Sequence, residues 1–101
     1  MRVIDAVGFD ELGRVDRVRW FRVNPDLNAM QGAAEIVPAI QVVDAVYAGE
    51  HVSAVFYVEG HRIPGPNVQP VADSTGHEWL QMVGPIVEGR AFKDMAKLEG
   101  P

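Results

Sequence analysis

The chain carries 16 valines and 5 isoleucines against only 4 leucines. β-Branched side chains are stiff at χ1 and pack well on a pleated surface, but they lose freedom against the preceding turn of a helix. Leucine, the usual filler of helical faces, is scarce. A helical bundle is therefore disfavoured, and a sheet is expected to dominate the core. A length of 101 residues suits one domain over 1–101, because two separate cores would each be too small to hold. With 48% hydrophobic residues the composition is that of a globular protein. No apolar run approaches the roughly 18–20 residues of a membrane span, and no signal-peptide pattern opens the chain. A cytoplasmic domain without membrane contact is expected. The absence of cysteine excludes disulfides, thiol nucleophiles and Cys-based zinc sites.

Residues 3–9 are β-branched and aromatic, and Asp10-Glu11-Leu12-Gly13 supplies turn chemistry. Asp favours a turn start, and Gly13 can take the left-handed conformation that closes the loop. The return strand, about 14–23, alternates imperfectly: Val18 and Trp20 share one face, Val15, Phe21 and Val23 the other, with Arg17 and Arg19. A bulge, or burial of both faces near Trp20-Phe21, accounts for that. Asn24-Pro25-Asp26 ends the strand, and residues 26–37 read as a short helical turn or a loop. Pro38 suits the first turn of a helix over 38–48, with Ala39, Val42, Val43 and Val46 in one stripe widened by Ile40 and Tyr47, and Gly49 as its C′ residue.

His51–Val58 is a strand with Val52, Ala54, Phe56 and Val58 on one face and Ser53, Val55 and Tyr57 on the other. Residues 59–67 read as a Gly/Pro-rich connection, followed by a strand over 68–72, a turn at 73–76, a strand over 77–83 and a terminal helix over about 90–98. The order β-β-loop-α-β-β-β-α implies an α+β fold. Its sheet is largely antiparallel, of about five strands, with one main helix and a short C-terminal helix. A dimeric ferredoxin-like α+β barrel is the alternative; it needs a first helix within 26–48 and one strand fewer. Two helices leave part of a five-stranded sheet bare, so a homo-oligomer, most simply a twofold dimer, is expected.

No chemical signature stands out, and no cofactor is implied. His51, His61 and His77 all fall at strand ends or in loops. Converging, they would make a Zn²⁺ or Fe²⁺ site of a small metal-dependent enzyme, with Glu78 or Asp73 orienting a ligand. Their spacings of 10 and 16 residues match no ligand pattern, however, and successive antiparallel loops alternate ends of a sheet. Asp73-Ser74-Thr75-Gly76-His77 contains the side chains of a hydrolytic triad, but it lacks a nucleophile elbow and is good turn chemistry. Gly60–Asn67 lacks both nucleotide-loop patterns.

Arg14–Arg22 interleaves arginines with aromatics on a strand, as a nucleic-acid surface would. The net charge of −5 opposes that reading. The charge divides as five Arg against four acids in residues 1–25 (+1), and four basic residues against ten acids thereafter (−6). This split favours pairing within the chain, or between copies, over attraction to a polyanion. The leading reading is a non-catalytic binding or interaction domain for a small molecule or protein partner. Its candidate binding residues are Arg17, Arg19, Trp20, His61 and Arg62, the last two on a loop stiffened by Pro64 and Pro66.

The Ile4-x-x-Val7 strand, the Asp10-x-x-Gly13-Arg14-Val15 turn, the helix ending Tyr47-Ala48-Gly49-Glu50 and the Trp79-Leu80 strand resemble a family of small uncharacterised bacterial proteins. In overall character the chain is also similar to orphan proteins of mobile bacterial gene cassettes. The resemblance implies a small, often oligomeric α+β domain and supplies no functional residues. The 24–37 segment, the Pro-rich 63–70 connection and the missing Leu-Pro finish depart from it.

Overall fold

The computed structural model describes residues 1–24, 26–27, 29–72, 74–84 and 88–98. The valine-rich segments form β1 (Arg2–Phe9), β2 (Val15–Asn24), β3 (Ala29–Pro38), β4 (Val52–Val58), β5 (His61–Ala72), β6 (Glu78–Val83) and a two-residue β7 (Ala96–Lys97). One helix, α1 (Ala39–Tyr47), lies between β3 and β4. The sheet runs β3-β2-β1-β4-β5-β6 and curls into a half-barrel. Its neighbours are antiparallel except β1–β4 and β1–β7, which are parallel. The mix of helix and sheet expected from the element order is found, mostly sheet as the composition implied, with seven strands among the described residues where about five were expected.

The connection from β3 to β4 carries α1 across the concave face, where Val42 and Val43 pack with Ile4, Val18, Trp20, Phe56 and Val68. The helix matches its expected range within a residue at each end. It ends as expected at Gly49, whose φ is 94°. The Gly49 N–H donates to the Val46 carbonyl and the Glu50 N–H to the Ala45 carbonyl, at 2.9 and 3.0 Å, which is a complete Schellman closure. Ile40 and Tyr47 lie outside the buried stripe. The Tyr47 hydroxyl instead hydrogen-bonds to Glu78 of β6.

Three expectations are corrected. Residues 29–37, read as loop or turn, and Pro38, read as the first turn of the helix, form β3; it is an edge strand exposed at every position but Val37, so it has no buried face to impose a period of two. The added strand also counts against the ferredoxin-like alternative, which needs one strand fewer, although α1 supplies the helix it needs within 26–48. The Gly/Pro-rich connection shrinks to a two-residue turn, Glu59-Gly60, both at positive φ (52° and 79°), and β5 begins at His61. Its prolines fit because β5 passes from one neighbour to the next. Pro64 and Pro66 precede the β6 ladder and Pro70 follows the β4 ladder, so each stands where one edge of the strand carries no ladder among the described residues.

The terminal helix over 90–98 is absent. A single 3₁₀ turn (Phe92–Asp94) leads into β7, with the Asp94 carboxylate accepting the Ala91 N–H at 3.0 Å. Met95 is buried in the core, and the Leu98 N–H donates to the Val7 carbonyl at 2.8 Å. An isolated nine-residue helix is marginal, whereas the free edge of β1 offers hydrogen bonds and a cavity for Met95. Beyond the turn residue Asp73, which lies outside the described residues, the expected turn and following strand are found.

Two glycines mark close approaches. A Cβ on Gly65 would lie 2.5 Å from Phe56 Cε2 and 3.1 Å from the Ala54 carbonyl, so Gly65→Ala must push a core ring or the backbone. A Cβ on Gly8 would meet only the mobile end of the Arg17 side chain, at 2.5 Å. Thermal or urea unfolding should show Gly65→Ala losing about 1–3 kcal/mol and Gly8→Ala about 1 kcal/mol or less. Equal losses would refute this account of the two contacts.

In the β1–β2 turn, Asp10 Oδ1 accepts the N–H groups of Leu12 and Arg14, each at 2.9 Å. The Arg14 backbone hydrogen bond foremost, with those of Leu12 and the Arg14 side chain, holds the Asp10 carboxyl below its ordinary 3.8. A depressed carboxyl stabilises the fold above its unfolded pKa, and the contribution is lost as pH falls through the lower folded value. Asp10→Asn should therefore flatten the decline of stability below about pH 4, as followed by urea midpoints across an acid series.

Candidate functional site

Two bulges in the first hairpin, where one was offered for its return strand, decide which residues share a face. In β1, Ile4 pairs with Trp20 but Ala6 with Arg19, leaving Asp5 as the extra residue. In β2, Gly8 pairs with Arg17 and Phe9 with Val15, leaving Asp16 extra. The second bulge turns Val15 into the core beside Val18 and Trp20, whereas simple alternation would place it with Arg17. Both faces are buried near Trp20-Phe21. Trp20 belongs to the core under α1, and Phe21 packs on the opposite, helix-free face with Val3, Val23 and Val55.

That outer face holds three of the five expected binding residues: Arg17, Arg19 and Arg62. Trp20 lies under the helix instead, with the Arg2 guanidinium 4.5 Å from its ring centroid and no hydrogen-bond partner for Nε1 among the described residues. His61 precedes Arg62 in β5, so the two side chains point to opposite sides.

Arg19 grips the buried Asp5 with two hydrogen bonds, Nε to Oδ1 at 2.9 Å and Nη2 to Oδ2 at 3.1 Å. The Tyr57 hydroxyl donates to Asp5 Oδ2 at 3.2 Å. These hydrogen bonds to Asp5 foremost push the Arg19 pKa up, so its charge is retained. Arg17 bonds Asp16 at 3.0 Å and lies over Gly8. Elsewhere Arg2 and Arg22 share Glu50 at 3.2 and 3.8 Å, and Arg14 holds Asp10 at 3.2 Å. The arginine ribbon of the first hairpin is thus occupied by carboxylates, three of the hairpin itself (Asp5, Asp10 and Asp16) and one of the acidic remainder (Glu50). A polyanion would have to displace these partners.

Arg62 differs. Its Cζ sits 5.5 Å from the Phe21 ring centroid and 6.0 Å from that of Tyr57, and it has no hydrogen bond or ion pair with any described residue. It stands at a cleft of about 300 Å³ whose lining includes Val3, Phe21, Val23, Met30, Val55 and Pro64. Sequence reading overlooked this apolar group, although the alternation of Phe21 with Val23 and of Val55 with Tyr57 was its signal. What the sequence could not show is that β2, β1 and β4 lie side by side.

The three histidines do not converge. His51 precedes β4, His61 opens β5 opposite Val58 at the other end of β4, and His77 precedes β6 near the far end of β5. Seven residues of strand put His51 and His61 about 20 Å apart. Among the described residues no group of three or more His, Asp or Glu side chains is placed to hold a metal ion. His77 stacks obliquely on Trp79 at 6.0 Å and 46°. Of the triad-like run, Asp73 lies outside the described residues and Ser74 is exposed in the turn. No described helix is long and apolar enough to cross a membrane. No family model, curated protein or solved structure matches the chain.

The Asp5–Arg19 pair is unequally buried, with side-chain exposures of 8% and 40%. Asp5→Ala leaves a guanidinium that water can reach, whereas Arg19→Ala strands a buried carboxylate on Tyr57 alone. Denaturant unfolding should show Arg19→Ala losing about 2–3 kcal/mol and Asp5→Ala about 1 kcal/mol. The reverse order would mean that Asp5 is held by packing rather than by its partners.

Proposed function

We propose that this chain is a cytoplasmic, non-catalytic binding domain that works through the outer face of its sheet and associates with copies of itself. The observation that carries the reading is the group Val3, Phe21, Val23 and Val55, packed on a face that α1 does not cover and opening into the Arg62 cleft. Catalysis would need a base or nucleophile with free valence in reach of the ligand. The buried carboxylate of this face, Asp5, already accepts from Arg19 and Tyr57. The arrangement favours holding a molecule over transforming it. A fragment screen followed by amide NMR shifts tests this: responses should gather on Phe21, Val23, Val55 and Arg62. Hits confined to other surfaces would count against the reading.

Self-association is assigned to β3. An edge strand presents unpaired N–H and C=O groups, and soluble proteins usually blunt such edges with charge or brevity. β3 has ten residues and one charged side chain, Glu35, and exposes Ile36 at 62% and Met30 at 45%. Its two segments, 29–31 and 35–38, pair with β2 on either side of a bulge at Gly32 (φ 74°), so a partner can add along either one. Sedimentation should show a dimer that Ile36→Lys converts to monomer without loss of fold. A parent chain that remains monomeric at high concentration would refute this part of the proposal.

A further inference from the structure

Resting on the outer-face reading, we infer that the Arg62 cleft takes a small monocarboxylate with an apolar body of about ten non-hydrogen atoms in all. Three properties of the cleft define that class. Its volume of about 300 Å³ is at the small end for ligand sites, and at about 30 Å³ per water-sized group it holds about ten of them. More of its surface is apolar than polar, with Val3, Phe21, Val23 and Val55 on its floor and Ser53 beside them. The one charged side chain in its lining is Arg62, with Met1 also lining it.

The chemistry of that guanidinium sets the head group. Arg62 meets Phe21 and Tyr57 through ring contacts, and cation–π attraction holds it over the face. Ring contacts of this kind leave the N–H donors, which point outward in the guanidinium plane, for an acceptor. Arg2, Arg14, Arg17, Arg19 and Arg22 each hold a carboxylate of the chain, and Arg62 has none among the described residues. A carboxylate matches that fork with two parallel hydrogen bonds. One arginine over an apolar floor neutralises a monoanion, and a dianionic phosphate would keep an uncompensated charge against hydrocarbon. The apolar tail would lie over Phe21 towards Val23 and Met30.

Octanoate, with ten non-hydrogen atoms, is the probe, and octanol and octylamine are its uncharged and cationic counterparts. Titration of the intact chain by NMR should give saturable shifts at Phe21, Val55 and Arg62 with octanoate. Octanol should bind about tenfold or more weakly, and octylamine not at all. Arg62→Met, which keeps the apolar cover of Phe21, should weaken octanoate about tenfold or more while leaving octanol unchanged. Arg62→Lys should recover part of the loss and show that the fold is intact. Equal binding of octanoate and octanol would overturn the carboxylate assignment but leave the face a binding surface. Absence of any probe from this cleft, with fragments still binding elsewhere on the face, would overturn the cleft itself. Absence of all ligands from the face would instead end the reading on which this inference rests. Octanoate binding only to the Ile36→Lys monomer would also overturn it, since the cleft would then be filled by a second copy.

Discussion

The structure depends on the burial of β1 from both sides when only one side has a helix. Six consecutive residues, Val3 to Gly8, are buried. On the concave face Ile4 and Val7 meet α1 and the core. On the convex face there is no second layer of secondary structure among the described residues, and long side chains from β2 do the covering. Arg17 lies over Gly8, Arg19 closes on Asp5 beside Ala6, and Phe21 packs on Val3. Arginine can do this because its three-carbon stem excludes water while its head finds a partner. The small side chains at Ala6 and Gly8 leave the space those stems occupy.

The second edge of β1 is divided in the same economical way. β4 pairs with it over Arg2–Ile4 and β7 over Ala6–Val7, so the C-terminal segment fills the gap left as β4 diverges. Met95 anchors that segment in the core under the sheet. The bulge at Asp5 falls between the two pairings, where an extra residue disturbs neither ladder. It also delivers a carboxylate to the outer face, and Asp5 then organises Arg19 and Tyr57 around itself.

That arrangement separates structural charges from a free one. The arginines of the first hairpin are bound to carboxylates of Asp5, Asp10, Asp16 and Glu50 and serve as cover and clamp. Arg62 arrives from β5, outside the hairpin, and lies against Phe21 and Tyr57 over the outer apolar group. The hairpin's arginines are therefore matched mostly by its own acids, and Glu50 alone of the acidic remainder pairs with them among the described residues. Arg62, by contrast, faces a cleft.

The sequence by itself determined the elements whose stability is local. The Asp10–Gly13 turn, the valine stripe and Gly49 closure of α1, and the two faces of β4 each rest on residues within a few positions of one another, so periodicity and turn chemistry reveal them. Tertiary structure decided the rest. β3 reads as coil because no buried face imprints a period on it, and the first half of β5, residues 61–67, reads as a loop because its prolines are acceptable only at edges set by its neighbours. The 90–98 segment has helical spacing, yet it extends because β1 had an unpaired edge. The candidate site follows the same division: Arg17, Arg19 and Arg62 were legible as charged residues. Their separate fates depended on which strand each lay beside, and non-local pairing is the one property that a linear pattern of side chains does not encode.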